Sequence, residues 1–128
     1  MQKNIILIDD DPIIHMSCEM MFFGSVYKQI SITEPEAALS FSKNKSNYVK
    51  PDLIIVDLMM GKISGINIIR SIREDSYFEE TPIMLFTGYH EKIMEDEELL
   101  KELNVSFVLP KPITKEQLLS KISACIGI

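Results

Sequence analysis

The run Leu53-Ile54-Ile55-Val56 carries no polar side chain, ends on Asp57, and is followed by the apolar Leu58-Met59-Met60. A short run that is apolar at every position suits a strand buried on both faces, as in the centre of a helix-covered parallel sheet. A carboxylate at the end of such a strand is costly unless something neutralises it. Two other segments have matching ends: Asp9-Asp10-Asp11 follows an apolar run, and Lys111 stands between Pro110 and Pro112 after another. Each of these charges falls where a strand should stop.

Five such runs recur, at Ile5 to Ile8, Gln29 to Ile32, Leu53 to Val56, Ile83 to Phe86 and Phe107 to Leu109. The segments between them have helical spacing. Ala37, Ala38 and Phe41 share one face, as do Ile66, Ile69 and Ile72, and Leu118, Ile122 and Ile126 in the last segment. Thr33 to Glu36 and Thr114 to Gln117 both fit a capping box, and Pro12 suits a first helical turn. Lys43 to Lys50 is polar and reads as a loop. Tyr89 to Glu102 reads as one acidic helix carrying Ile93, Leu100 and Leu103 inward. Strand and helix thus alternate five times, which predicts an α/β fold: a five-stranded parallel sheet with five helices on both faces.

At 128 residues and 46% hydrophobic content the chain suits one core rather than two. With 19 acidic and 13 basic residues its formal charge is −6, so no basic footprint for nucleic acid or an anionic membrane is present. No apolar stretch reaches the roughly 18 residues of a membrane span, and Met1-Gln2-Lys3-Asn4 lacks a signal peptide's layout. A cytoplasmic protein is expected. The last helical segment runs to Ile128, from which a single domain over residues 1–128 without an output domain is expected. Cys18 and Cys125 have no neighbouring cysteine and read as buried free thiols.

In open α/β sheets function collects beyond the carboxyl ends of the strands. Asp9, Asp10, Asp57, Thr87 and Lys111 all fall at that edge. Carboxylates gathered there repel and raise one another's pKa unless a divalent cation neutralises them, and hard oxygen ligands point to Mg2+. A carboxylate beside such an ion can attack a phosphoryl group, its charge met by the metal, an ammonium and a hydroxyl. Asp57, Lys111 and Thr87 fit the nucleophile, ammonium and hydroxyl in that order.

Four stretches in sequence carry a resemblance covering essentially the whole chain. They are Ile-Leu-Ile-Asp-Asp-Asp-Pro at 6 to 12, Pro-Asp-Leu-Ile-Ile-Val-Asp-Leu-Met-Met at 51 to 60 with Ser64-Gly65, Pro-Ile-Met-Leu-Phe-Thr-Gly at 82 to 88, and Lys-Pro at 111 to 112. The chain resembles the response-regulator receiver domains of bacterial two-component signalling, in particular the stand-alone, chemotaxis-regulator type. The resemblance implies a flavodoxin-like sheet of strand order 2-1-3-4-5. It implies that Asp57 accepts a phosphoryl group from a phosphohistidine, that Asp10 ligates Mg2+ directly and Asp9 through water, and that the Met59 backbone carbonyl completes the protein's ligands. Thr87 would bond the phosphoryl group and Lys111 would pair with it, after a cis peptide bond at Pro112. The implied partners are a sensor histidine kinase or a histidine phosphotransfer protein, plus a downstream protein meeting the fourth helix, fifth strand and fifth helix. No catalysis is implied beyond self-catalysed phosphotransfer and autodephosphorylation.

The sequence also departs from the family pattern. Gly61 stands where proline is usual and Gly88 where alanine is common, so both loops are expected to be looser. Val108 stands three before Lys111, where a tyrosine or phenylalanine usually turns inward on phosphorylation; Phe107 should point to the opposite face. Met59 and Tyr89 occupy the positions from which relatives tune hydrolysis; both are bulky and neither carries a carboxylate or amide to orient water, so slow dephosphorylation is expected. Asp11 before Pro12 reads as a helix cap, and Asp52 as loop chemistry. His15 and His90 read as partnerless surface or boundary histidines, and Met16, Met20 and Met21 with Phe22 and Phe23 as core filling. Two rivals share the architecture. A magnesium phosphohydrolase of the haloacid dehalogenase type needs an aspartate where Met59 stands, and a flavin-binding flavodoxin-like module needs a first loop that does not repel phosphate.

Overall fold

The computed structural model describes residues 1–128. Its elements are β1 (Lys3–Ile8), α1 (Pro12–Phe22), β2 (Tyr27–Ile32), α2 (Pro35–Leu39), a 3-10 segment (Phe41–Asn47), β3 (Leu53–Asp57), β4 (Met59–Met60) and β5 (Ile63–Ser64). They continue with α3 (Gly65–Arg73), a 3-10 turn (Ser76–Phe78), β6 (Ile83–Thr87), α4 (His90–Met94), α5 (Glu97–Leu103), β7 (Val105–Pro110) and α6 (Lys115–Ile126). Five strands form one parallel sheet in the order β2-β1-β3-β6-β7. With the small β4-β5 hairpin set aside, this is the expected order 2-1-3-4-5.

The alternation of side chains along each strand divides the interior into two cores. Ile6, Ile8, Ile54, Val56, Ile83, Leu85 and Val108 face one side, with Ile68, Ile69 and Ile72 of α3 and Leu103 of α5. Ile5, Leu7, Leu53, Ile55, Met84, Phe86 and Leu109 face the other, with Cys18 and Phe22 of α1 and Leu118 and Ile122 of α6. Every residue of β3 is buried, as its unbroken apolar run requires.

Several helix boundaries differ from expectation for local reasons. The capping box at Thr114 and Gln117 forms reciprocally, but the one at Thr33 does not. Pro35 takes the first helical position, so the cap falls on Glu34, which makes no side-chain bond. Helix α2 is only five residues, and much of the expected loop at 43–50 lies in the 3-10 segment, where Phe41 packs edge-on with Tyr48 and at a tilt against Phe78. The acidic helix is split because the Asp96 side chain accepts from Leu99 N–H and starts α5 anew. There are consequently six α-helices rather than five. The inward face of α1 is filled by His15, Cys18 and Phe22, which turns Met16, Met20 and Phe23 outward at 63%, 74% and 85% exposure. These three are not core residues.

Candidate functional site

Parallel register brings the carboxyl ends of β1, β3 and β6 side by side, with Ile8 opposite Val56 and Asp57 opposite Phe86. Asp9 follows β1 directly and is completely buried, and Asp57, the last residue of β3, is nearly so. Lys111, just past β7, reaches both: its Nζ donates to Asp9 Oδ2 at 2.8 Å and to Asp57 Oδ1 at 3.1 Å. It is held there by its own backbone N–H, which donates to the Thr87 carbonyl at 2.9 Å, and the Lys111–Pro112 peptide is cis. Asp10 is exposed, and carboxylate oxygens of Asp9, Asp10 and Asp57 lie within 4.8 Å of one another.

Burial raises the Asp57 pKa first and the negative charge of Asp9 raises it further; the Lys111 ammonium and the Met59 N–H oppose them without cancelling. For Lys111, burial alone would lower the pKa, but its bonds and charge interactions with Asp9 and Asp57 leave it raised. One ammonium therefore does not balance the carboxylates it meets. Three hard oxygen donors with one outward-facing member suit a small divalent cation such as Mg2+, which keeps several waters.

Thr87 ends β6 one residue beyond the partner of Asp57 and is buried. Its Oγ1 accepts from Tyr89 N–H at 2.9 Å, leaving its own proton available to donate. Met59 and Tyr89 are exposed at 52% and 68%. Asp11 caps α1, accepting from Ile13 N–H at 2.9 Å, and Asp52 accepts from Asn4 N–H at 2.7 Å. Val108 is buried toward α3 and α5 while Phe107 lies half exposed beneath Lys121, on the opposite face as expected.

Gly61 is not simply a looser residue. Its φ of 59° is forbidden to proline, and it occupies the first turn position of the hairpin pairing Met60 with Ile63. An added Cβ there would lie 3.7 Å from Asp10 Oδ2, so the turn packs against the acidic cluster. At Gly88 an added Cβ meets nothing within 4 Å.

Two roles at the site were not read from the sequence, that of Gly65, which entered only as part of a motif, and that of His15. An added Cβ at Gly65 would stand 2.0 Å from the Asp57 carbonyl oxygen, and Gly65 N–H donates to Leu58 O at 2.6 Å. Only glycine lets α3 start so close to β3, and its place at a helix start was the available signal. His15 is buried rather than superficial and does have partners, Asp9 O and Ser31 Oγ. Its spacing with Cys18 and Phe22 placed it on the inward face of α1.

Comparisons with known proteins agree with this geometry. The family model described as the response regulator receiver domain matches residues 5–123. The transcriptional regulatory protein PhoP for alkaline phosphatase synthesis, from Bacillus subtilis, is 28% identical over 98% of this chain. The chain spans only 49% of PhoP's length. The chemotaxis protein CheY4 of Vibrio cholerae superposes with a TM-score of 0.81 at 22% identity, covering 97% of this chain and 98% of CheY4. The receiver domain of sensor histidine kinase PA1611 from Pseudomonas aeruginosa, solved with a magnesium ion coordinated in its active site cleft, superposes with a TM-score of 0.79 at 20% identity. Both of those chains are covered completely. No helix is long and apolar enough to cross a membrane.

Proposed function

The chain belongs to the response regulator receiver domain family, and on that premise we propose that Asp57 accepts a phosphoryl group from a phosphohistidine donor in a Mg2+-dependent reaction. The donor is a sensor histidine kinase or a histidine phosphotransfer protein, and the phosphorylated chain signals by altering a surface that a downstream protein binds. The observation that carries this reading is the cluster of three carboxylates within 4.8 Å, with Lys111 reaching two of them.

Asp10, Asp57 and the Met59 carbonyl would hold the ion directly and Asp9 through water; when bound, it supplies positive charge against the phosphoryl oxygens. An Asp57 carboxylate oxygen attacks phosphorus, the P–O bond forms as the P–N bond to the donor imidazole breaks, and the imidazole leaves with the electron pair. Lys111 exchanges a carboxylate partner for the phosphoryl group, and the Thr87 hydroxyl donates to it. The output surface comprises α4, α5, β7 and α6. A cytoplasmic location goes with this reading, because the ATP that charges the histidine donor is there. The phosphohydrolase reading gains nothing from the geometry, since Met59 presents an exposed thioether where that chemistry needs a carboxylate. The flavin reading meets Asp9 and Asp10 where a phosphate would have to bind.

Acetyl phosphate and Mg2+ should add one phosphoryl group to the wild type by intact mass and none to Asp57→Asn; equal phosphorylation of both would remove the assignment. Followed over time, the phosphorylated wild type should decay slowly, and Met59→Asn with Tyr89→Glu should shorten its life. A short-lived phosphoprotein that these changes do not shorten further would contradict the roles given to Met59 and Tyr89.

A further inference from the structure

Every polar group of Asp9 is held, and by four different parts of the chain. Its N–H donates to Ile32 O of β2 at 3.2 Å. Oδ1 accepts from Asp11 N–H at 2.9 Å, and Oδ2 accepts from Lys111 Nζ at 2.8 Å. The fourth group is the backbone carbonyl, which lies against Nε2 of His15 at 2.6 Å in a fully buried contact. A carbonyl oxygen can only accept, so Nε2 carries the proton.

The other ring nitrogen is fixed as well. Nδ1 lies 2.8 Å from Ser31 Oγ on β2. The Gln29 side-chain amide donates to Ser31 Oγ at 3.0 Å and to the backbone carbonyl of His15 at 3.0 Å. With the ring proton on Nε2, Nδ1 is the acceptor and the Ser31 hydroxyl donates to it, while Gln29 donates to a Ser31 lone pair. Reversing the Gln29 amide would strip the His15 carbonyl of its donor; in the orientation present, Oε1 is the buried atom left without a partner. A directed chain thus runs from Gln29 through Ser31 and His15 to Asp9.

The carbonyl that His15 grips belongs to the peptide unit joining Asp9 to Asp10. Holding it restrains the backbone torsions on either side, which aim the Asp9 carboxylate inward and the Asp10 carboxylate outward. We propose that His15 is a positioning residue of the acidic site. Its Nε2–H, set by Ser31 and Gln29, fixes the Asp9–Asp10 peptide, so the affinity of the cluster for a divalent cation depends on a ring that touches neither carboxylate. The inference rests on the reading that Asp9, Asp10 and Asp57 bind such a cation. It also explains why a polar side chain occupies a position on α1 otherwise used for packing.

Three substitutions separate this role from simple core filling. In His15→Gln the amide nitrogen can reach the position of Nε2 and keep the bond to Asp9. His15→Asn retains only the reach of Nδ1 toward Ser31, and His15→Leu retains neither. Mg2+ titrated calorimetrically into the full chain should bind His15→Gln within about twofold of wild type, and His15→Asn and His15→Leu about tenfold more weakly, in the range typical of supporting groups. Equal affinity for the Gln and Asn variants would overturn the proposal. Independently of any variant, long-range nitrogen–proton correlations of the wild-type imidazole should show the Nε2–H tautomer, and an Nδ1–H tautomer would overturn it. Asp10→Asn distinguishes the two levels. Wild-type binding that is absent or indifferent to Asp10→Asn removes the cation reading and this inference together; binding that needs Asp10 but does not separate Gln from Asn removes this inference alone.

Discussion

The carboxyl edge of the sheet has two halves built to different standards. At the ends of β1 and β3, Asp9 and Asp57 are buried, α1 runs eleven residues from the Asp11 cap, and Gly65 lets α3 close directly against Asp57. Beyond β6 and toward β7, α4 has five residues, none of them buried, and α5 restarts at Asp96. An open groove of about 620 Å³ runs past Gly88, Tyr89, His90 and Pro110. A smaller apolar one of about 170 Å³ lies among Met94, Leu100, Phe107 and Val108. The carboxylates to which the proposed chemistry is assigned stand on the closed half, where supporting contacts fix geometry. The open half holds the surface assigned to output, where short helices and unfilled space leave low-cost rearrangements. Val108 belongs to this contrast: a small side chain sits where an aromatic would fill space next to Met94 and Leu100.

The sharpest way to break the contrast uses one glycine from each half. Gly65→Ala forces a Cβ into the Asp57 carbonyl and should cost about 3 kcal/mol or more, whereas Gly88→Ala meets nothing and should stay within about 0.5 kcal/mol of wild type. Urea denaturation measures both, and equal losses would erase the distinction.

Lys111 is the bridge, since it leaves β7 in the open half and bonds in the closed one. Lys111→Ala leaves Asp9 and Asp57 facing each other without an ammonium and should destabilise by about 2 kcal/mol. That is below the full cost of breaking a buried pair, because the Lys111 side chain is 22% exposed. Mg2+ should restore more stability to this variant than it adds to wild type; denaturation with and without the ion decides.

The smallest effect is a pH dependence. Asp57 has a raised carboxyl pKa in the fold, so between the unfolded and folded values the native state binds the extra proton. Stability of the ion-free protein should therefore fall as pH rises from the ordinary carboxylate range through the folded value, and remain lower above it. Lys111 has a slope of the same sign in a separate window: the stability its raised pKa contributes is fully present below the ordinary lysine range and is lost as pH rises past it. Thermal midpoints from about pH 4 to pH 8 should show the fall in wild type and less of it in Asp57→Asn. Parallel curves for the two proteins would place the dependence elsewhere.

What could be read from the sequence follows the same division. The unbroken runs through Ile54 and Ile83 announced buried parallel strands because nothing else buries them so fully, and Asp9, Asp57 and Lys111 were legible because charge after such a run demands a partner. The broken acidic helix was not legible: Ile93, Leu100 and Leu103 keep helical spacing across the interruption, and the Asp96 side chain can cap α5 only because its own backbone leaves the helical conformation there. Met16, Met20 and Phe23 misled because composition suggested core while the phase of His15, Cys18 and Phe22 turned them outward. What Gly65 and His15 do escaped for a related reason. Their roles lie in a backbone approach and in a bond to a backbone carbonyl, and residue type alone reports neither.

The central claim is that the closed half carries the phosphoryl group on one residue. The direct measurement is borohydride trapping of the chain after reaction with acetyl phosphate and Mg2+, followed by peptide sequencing in the mass spectrometer. The reduced residue should be at position 57 alone; reduction at Asp9 or Asp10, or at any residue of the α4–α5 face, would contradict the account.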